Sequence, residues 1–228
     1  MSLVRLIGGI VYVLAFYGLA LFLPAGTLHW SRAWALLGVT VLSTTISTIY
    51  LSSTSPDIVK ERWKPPIQKG QPLSDKIILS LFILLYTGTV VITPLDVFRW
   101  HLLPKPGLII SSLGLVLYIT SWCVITRVLK ENAFASAAVR YQEERQHRVI
   151  DTGPYGIVRH PMYAGSIPLV LGLPLWLQSY AATIAALLVC AVMSSIRIRL
   201  EEKFLMRELP GYSAYAGRIR WRLIPGIW

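Results

Sequence analysis

HRVIDTGPYGIVRHPMYAG, residues 147–165, is a polar stretch punctuated by glycine and proline that runs straight into an apolar one. Gly153-Pro154-Tyr155-Gly156 reads as a turn, because Gly and Pro together neither continue a helix nor pair in a central strand. Arg159-His160-Pro161-Met162-Tyr163 then sets a cation, an imidazole and a phenol beside a membrane span, where polar groups cost free energy unless they meet water, each other or a ligand. The run that follows, Ser166 to Ile196, carries no charge. It is too long for one span and long enough for two short ones, joined at Leu177-Gln178-Ser179-Tyr180. Pro168 and Pro174 shape the first arm, and Gly165 and Gly172 permit close helix approach, so the pattern predicts a helical hairpin.

Working outward, the same grammar repeats. The 228-residue chain is 54% hydrophobic and 14% charged, with a mean hydropathy of +0.58. Further apolar runs fall at about Leu6–Leu23, Ala33–Leu51, Ile77–Leu95 and Leu108–Arg127, each near the roughly 20 residues that cross a hydrocarbon core. The expected fold is all-α: a polytopic transmembrane bundle of about six spans. The first run follows Arg5 but is long for a signal sequence and lacks an A-x-A site, so it is read as a span. Ser43, Thr44, Thr45, Ser47 and Thr48 in the second run are expected to hydrogen-bond between helices, since no His–carboxylate pair is spaced to activate a serine. Cys123 and Cys190 lie singly inside apolar runs and read as small buried residues, without zinc or disulfide spacing. His29, His101, His147 and His160 show no ligand spacing, so no metal is expected.

The net charge of +11 is distributed as a topology signal, with no nucleic-acid motif to collect it. With six spans and the N-terminus inside, 19 of the 22 Lys and Arg residues fall on one side and only Arg32, Arg99 and Lys105 on the other. That bias predicts that both termini and the 147–165 segment are cytoplasmic. Among the connections, 52–75 reads as interfacial, with Trp63 and lysines at headgroup level. Residues 96–107 read as an aromatic-belt turn. Residues 132–146 are expected to be partly helical and to form a wall of any site beside the motif.

Beyond Ile196 the chain becomes amphipathic. Leu200, Phe204 and Leu205 share a face, with Arg197, Glu201 and Glu208 at helical spacing beside them, until Pro210-Gly211 breaks the helix. Arg218, Arg220 and Arg222 interleave with Trp221 and Trp228 as an interfacial anchor. Arg159 and Arg197 are suited to grip a carboxylate or phosphate. Glu201 and Glu202 suit an ammonium, a sulfonium or ribose hydroxyls, and Tyr155 and Tyr163 offer faces to a cation or an adenine. Arg197 and Glu201, at i and i+4, also suit a plain intrahelical salt bridge.

The combined pattern G-P-Y-x-x-x-R-H-P-x-Y-x-G, an uncharged hairpin and then R-x-x-x-E-E-x-x-L resembles the isoprenylcysteine carboxyl methyltransferases, integral membrane enzymes that use S-adenosylmethionine. The resemblance covers roughly residues 140–225, which divides the chain into a four-span scaffold (1–130) and a methyltransferase core (131–228). It implies a cofactor pocket formed by His147, Arg148, Val149 and Ile150, the turn tyrosine Tyr155, then His160, Pro161, Met162 and Tyr163, and finally Glu201. It implies that Arg197 is the catalytic, substrate-orienting residue, with Arg159 a second substrate contact, and that the C-terminal helix closes the pocket. Some relatives carry glutamine where this chain has Arg140, so that contact departs from the family pattern. A carboxylate acceptor, already ionised at pH 7, needs positioning and a dry pocket rather than a base. The implied partners are the bilayer and a lipid-linked or hydrophobic acceptor: carboxylate first, with thiol and phospholipid amine compatible. Two other classes remain: membrane sterol reductases, which share a similar C-terminal arrangement and use NADPH, and a non-catalytic membrane scaffold.

Overall fold

The computed structural model describes the backbone of residues 3–228 and side chains from Leu6 onward. Arg5, counted above on the inner side, has its side chain outside that range. Eight α-helices are present and no strand occurs among the described residues: α1 (Leu3–Ala25), α2 (Ser31–Thr54), α3 (Pro56–Arg62), α4 (Leu73–Leu95), α5 (Leu108–Glu131), α6 (Pro161–Trp176), α7 (Tyr180–Glu208) and α8 (Tyr212–Arg218). Among the described residues, five helical stretches are long and apolar enough to cross a bilayer: Leu6–Ala25, Ser31–Thr54, Leu73–Trp100, Leu108–Glu131 and Tyr180–Glu208.

The fifth expected span, α6, has 16 residues, a rise of about 24 Å against a hydrocarbon core of about 30 Å. It nevertheless ends where α2 begins. Trp176 Nε1 donates to Arg32 O at 2.8 Å, and Arg32 Nη1 returns a bond to Trp176 O at 2.9 Å. The turn at 177–179 is anchored by Asp96, whose carboxylate accepts from Ser179 Oγ at 2.6 Å and from Leu102 N at 2.8 Å. Asp96 opens a π-helical turn, Asp96–Trp100, that extends α4. The 96–107 connection therefore braces the hairpin as well as turning the chain.

Small residues set the tightest contact. A Cβ added to Gly172 would lie 2.5 Å from Gly114 O and 2.8 Å from Tyr118 N, and one on Gly114 would lie 2.6 Å from Trp176 N. Only glycine lets α5 and α6 approach backbone to backbone in this way. Of the α2 hydroxyls expected to bond between helices, Ser47 does so, Oγ with Thr126 Oγ1 at 2.8 Å, whereas Thr44 Oγ1 is buried without a hydrogen bond; Thr40, outside that patch, bonds Tyr118 Oη at 2.8 Å. Leu21, Leu36, Leu173 and Leu177 fill the buried core around Tyr118. Cys190 is buried, but Cys123 lies on the outer face of the bundle, because its position on α5 points away from α6 and α2.

Two expectations about the charged end need correction. The chain from Arg197 is no separate closing helix: α7 runs without a break for 29 residues, about 44 Å, so its last turns are an extension of the hairpin's second arm. Residues 132–146 are irregular except for a 3₁₀ turn at Glu143–Arg145. Side chains take over the backbone bonding there: Asn132 Oδ1 accepts from Phe134 N, Gln142 Nε2 donates to Phe134 O, and Arg145 Nη2 donates to Ala133 O. Such local bonds compete with a helix.

Candidate functional site

At the end of the bundle where α5 stops and α6 starts, a cavity of about 400 Å³ opens between the 132–150 segment, the motif and the extension of α7. Its wall contains His147, Arg148, Val149, Ile150, Tyr155, Arg159, His160, Pro161, Met162, Tyr163, Arg197 and Glu201. Every site residue expected from the sequence is thus brought to one surface. Leu79, Phe82 and Ile83 of α4 continue the wall into the apolar part of the bundle. The walls come from both sides of residue 130.

The turn that carries Tyr155 needs glycine. Gly153 has φ +55°, and a Cβ there would stand 2.9 Å from Glu131 Cδ. Glu131, at the end of α5, accepts from Thr152 Oγ1, which ties the turn to the helix. Val149 and Ile150 belong to no helix or strand. His147 packs against Phe134 with ring centroids 4.7 Å apart and against Tyr141 at 5.9 Å. Burial, reinforced by Arg145 and Arg140, pushes its pKa down to about 4, so the imidazole is neutral at pH 7. Burial likewise raises the phenol pKa values of Tyr155 and Tyr212.

Pro161 occupies the first position of α6, where its missing N–H costs nothing. The two amides before it are satisfied by the C-terminal tail: Arg159 N donates to Trp221 O and His160 N to Arg222 O, both at 2.9 Å. The tail is therefore bonded to the motif rather than serving only as an interfacial anchor.

Glu201 and Glu202 have separate duties. Glu201 Oε2 accepts from Tyr163 Oη at 2.8 Å, which joins α6 to α7 on the cavity wall. Glu202 is buried and gathers two arginines and a histidine: Arg159 Nε at 2.6 Å, Arg222 Nε at 2.7 Å and His160 Nε2 at 3.3 Å. Arg159 also donates through Nη1 to Ile219 O at 2.8 Å and Ala216 O at 3.1 Å. Its guanidinium is a strut between motif, α7 and tail, not the free substrate grip expected, because a buried cation collects the acceptors within reach.

Arg197 does not pair with Glu201. It turns toward α4, with Nε 3.4 Å from Asp75 Oδ1 and Nη2 donating to Ala137 O. Arg140 pairs with Glu144 at 2.7 Å, Gln68 at 3.1 Å and Glu61 at 3.4 Å, so it locks the 132–146 segment to the α3–α4 connection. Glu61 is buried and also meets Lys64 at 2.5 Å. Burial alone would raise its pKa, but Lys64 and Arg140 outweigh that and hold it below the usual carboxylate range.

Read from the sequence, Glu202 has a ligand-facing role and Arg222 an interfacial one; the structure instead joins them in one ion cluster around the buried Glu202 carboxylate. Asp75 alone escaped the sequence reading, being a lone acid at the start of an apolar run.

Three buried polar atoms that make no hydrogen bond belong to residues on the cavity wall: His147 Nδ1, Arg197 Nε (ion-paired with Asp75) and Tyr212 Oη. Buried polar groups are normally hydrogen-bonded, so their concentration here marks a place for a polar ligand.

Residues 107–210 match the family described as phospholipid methyltransferase. Probable protein-S-isoprenylcysteine O-methyltransferases of Oryza sativa subsp. indica and subsp. japonica are each 32% identical over 118 residues, 48% of this chain and 59% of theirs. The cobalt-zinc-cadmium resistance protein CzcN of Cupriavidus metallidurans is 34% identical over 74 residues, 32% of this chain and 34% of its own. The matched regions thus span from about a third to three-fifths of those relatives' length. The resemblance read from the motif is supported by the family match and by the rice proteins.

Proposed function

We propose, from the premise that residues 107–210 belong to the phospholipid methyltransferase family and that the chain is isoprenylcysteine methyltransferase-like, that it transfers a methyl group from S-adenosylmethionine to a lipid-linked carboxylate. The observation that carries this reading is the cavity of about 400 Å³ that joins the motif's polar residues to an apolar wall on α4. That volume lies within the usual range for small-molecule sites, about 300–1,000 Å³.

The residues fit the cofactor. The orphaned Nδ1 of His147 and Oη of Tyr212 offer hydrogen bonds in a pocket lined with aromatic rings. Glu201, held by Tyr163, offers a negative charge to the cationic end of the molecule. Bound there, S-adenosylmethionine supplies a methyl group on positive sulfur, which leaves to an in-line nucleophile while the sulfur keeps the bonding pair. Arg197 holds the acceptor carboxylate, Glu201 holds the cofactor from the same helix face, and residues 132–150 exclude water. No proton moves, so no acid–base dyad is required. The lysine and arginine bias supports placing the site and both termini on the cytoplasmic side. The apolar wall that Leu79, Phe82 and Ile83 of α4 add to the cavity supports entry of the acceptor from the bilayer.

Calorimetric titration of the purified protein with S-adenosylmethionine and, separately, with NADPH tests the reading. Binding of the first is expected. Binding of NADPH alone replaces it with the reductase reading. Glu201→Ala is expected to weaken cofactor binding, whereas Arg197→Ala spares cofactor binding and lowers turnover. Parent-like behaviour of both variants overturns the site assignment.

A further inference from the structure

Arg197 and Asp75 are both buried, at 8% and 4% exposure, and lie on helices that meet at the cavity rim. Their contact is loose. Asp75 Oδ1 is 3.4 Å from Arg197 Nε, yet that nitrogen makes no hydrogen bond. Asp75 is instead held by its other oxygen: Oδ2 accepts from Gln71 Nε2 at 2.6 Å and from Val139 N at 2.9 Å. Arg197 faces the main cavity, while Asp75 faces a second one of about 230 Å³ on the far side of Val139.

A buried guanidinium without a counter-charge is strongly unfavourable, so Arg197 needs a carboxylate at all times. We propose that Asp75 is a specificity-determining residue, the resident counter-ion that stands in for the acceptor's carboxylate and yields Arg197 to it when the acceptor binds. The exchange replaces one carboxylate by another, so Arg197 stays neutralised in both states. Asp75 keeps two donors on Oδ2 after Arg197 leaves and is not stranded. A neutral acceptor gains nothing from the exchange. The site therefore selects acceptors that bring a carboxylate. This rests on the methyltransferase reading, and it concerns a residue outside the motif-bearing region.

The test is titration of the full chain, with and without saturating S-adenosylhomocysteine, by an S-farnesylated N-acetylcysteine and by its carboxamide. Asp75→Asn removes the competing charge while keeping an oxygen for Val139 N–H. It is expected to tighten binding of the carboxylate by about tenfold, as for exchange of one desolvated charge pair, and to leave the carboxamide within about twofold. Gln71→Ala frees Oδ2 to pair with Arg197 as well and is expected to weaken the carboxylate alone. It serves as the second variant if Asp75→Asn does not fold. Equal shifts for both compounds, weaker carboxylate binding in Asp75→Asn, or no preference for the carboxylate in the parent protein overturns the proposal. Loss of S-adenosylhomocysteine binding with the preference intact removes only the methyltransferase reading.

Discussion

Tyr163 Oη donates to Glu201 Oε2 at 2.8 Å, a bond that crosses from the first turn of α6 to the extension of α7. Both partners line the cavity. The bond holds the Glu201 carboxylate in one orientation, which is what a positioned counter-charge requires.

Tyr163→Phe keeps the ring and removes that donor. A neutral-to-charged hydrogen bond contributes about 1.5–3 kcal/mol, so affinity for S-adenosylmethionine is expected to fall at least about tenfold. Calorimetry on the variant measures it, and unchanged affinity separates Glu201 from the cofactor.

Gly172→Ala forces a Cβ to within 2.5 Å of Gly114 O and 2.8 Å of Tyr118 N. Backbone atoms cannot swing aside, so α5 and α6 must separate, at a cost of about 1–3 kcal/mol. Gly217→Ala is the control, since a Cβ there meets nothing within 4 Å. Thermal unfolding in one detergent is expected to show a clear loss for the first variant and none for the second.

Glu202→Ala strands the buried Arg159 and releases Arg222. Removing one partner of a buried pair costs about 3–5 kcal/mol. Detachment of the tail is expected to loosen the backbone around Arg218 and Arg220, whose side chains are already exposed, and around Arg222, and so to open all three to trypsin. Limited proteolysis with mass detection reads this directly, and a tail as resistant as in the parent protein contradicts the bracing role.

His147 has its folded pKa pushed to about 4, below the ordinary 6.5, by burial, then Arg145 and Arg140. Between those values the unfolded chain binds a proton that the folded one refuses. The stability contributed by the neutral ring is therefore complete above about pH 6.5 and is lost as the pH falls toward 4. His147→Phe, which keeps a ring against Phe134 and Tyr141, is expected to flatten the decline in melting temperature over that range. An unchanged slope assigns the decline to other groups.

The arms of the α6–α7 hairpin, the close approach at Gly172 and the bond from Ser47 of α2 were legible because each depends on local spacing along one helix. The continuous α7 was not, since a run of charges looks like a boundary when read along the chain. In space it is only the point where a long helix leaves the apolar core. The irregular 132–146 segment was misread for a related reason: its small and charged residues favour helix intrinsically. Bonds from Gln142 and Arg145 back to Phe134 and Ala133 override that preference.

Hydropathy and charge bias alone establish a helical membrane protein, and the motif with the Arg-x-x-x-Glu-Glu helix establishes which residues gather around its cavity. These signals survive in one dimension because bilayer thickness and helical period act on consecutive residues. The partners of each charge do not survive there. Arg197 takes Asp75 rather than Glu201, and Arg159 takes Glu202 and the tail, because a buried ion pairs with whatever acceptor the packing of distant helices brings within reach. That choice belongs to the folded bundle.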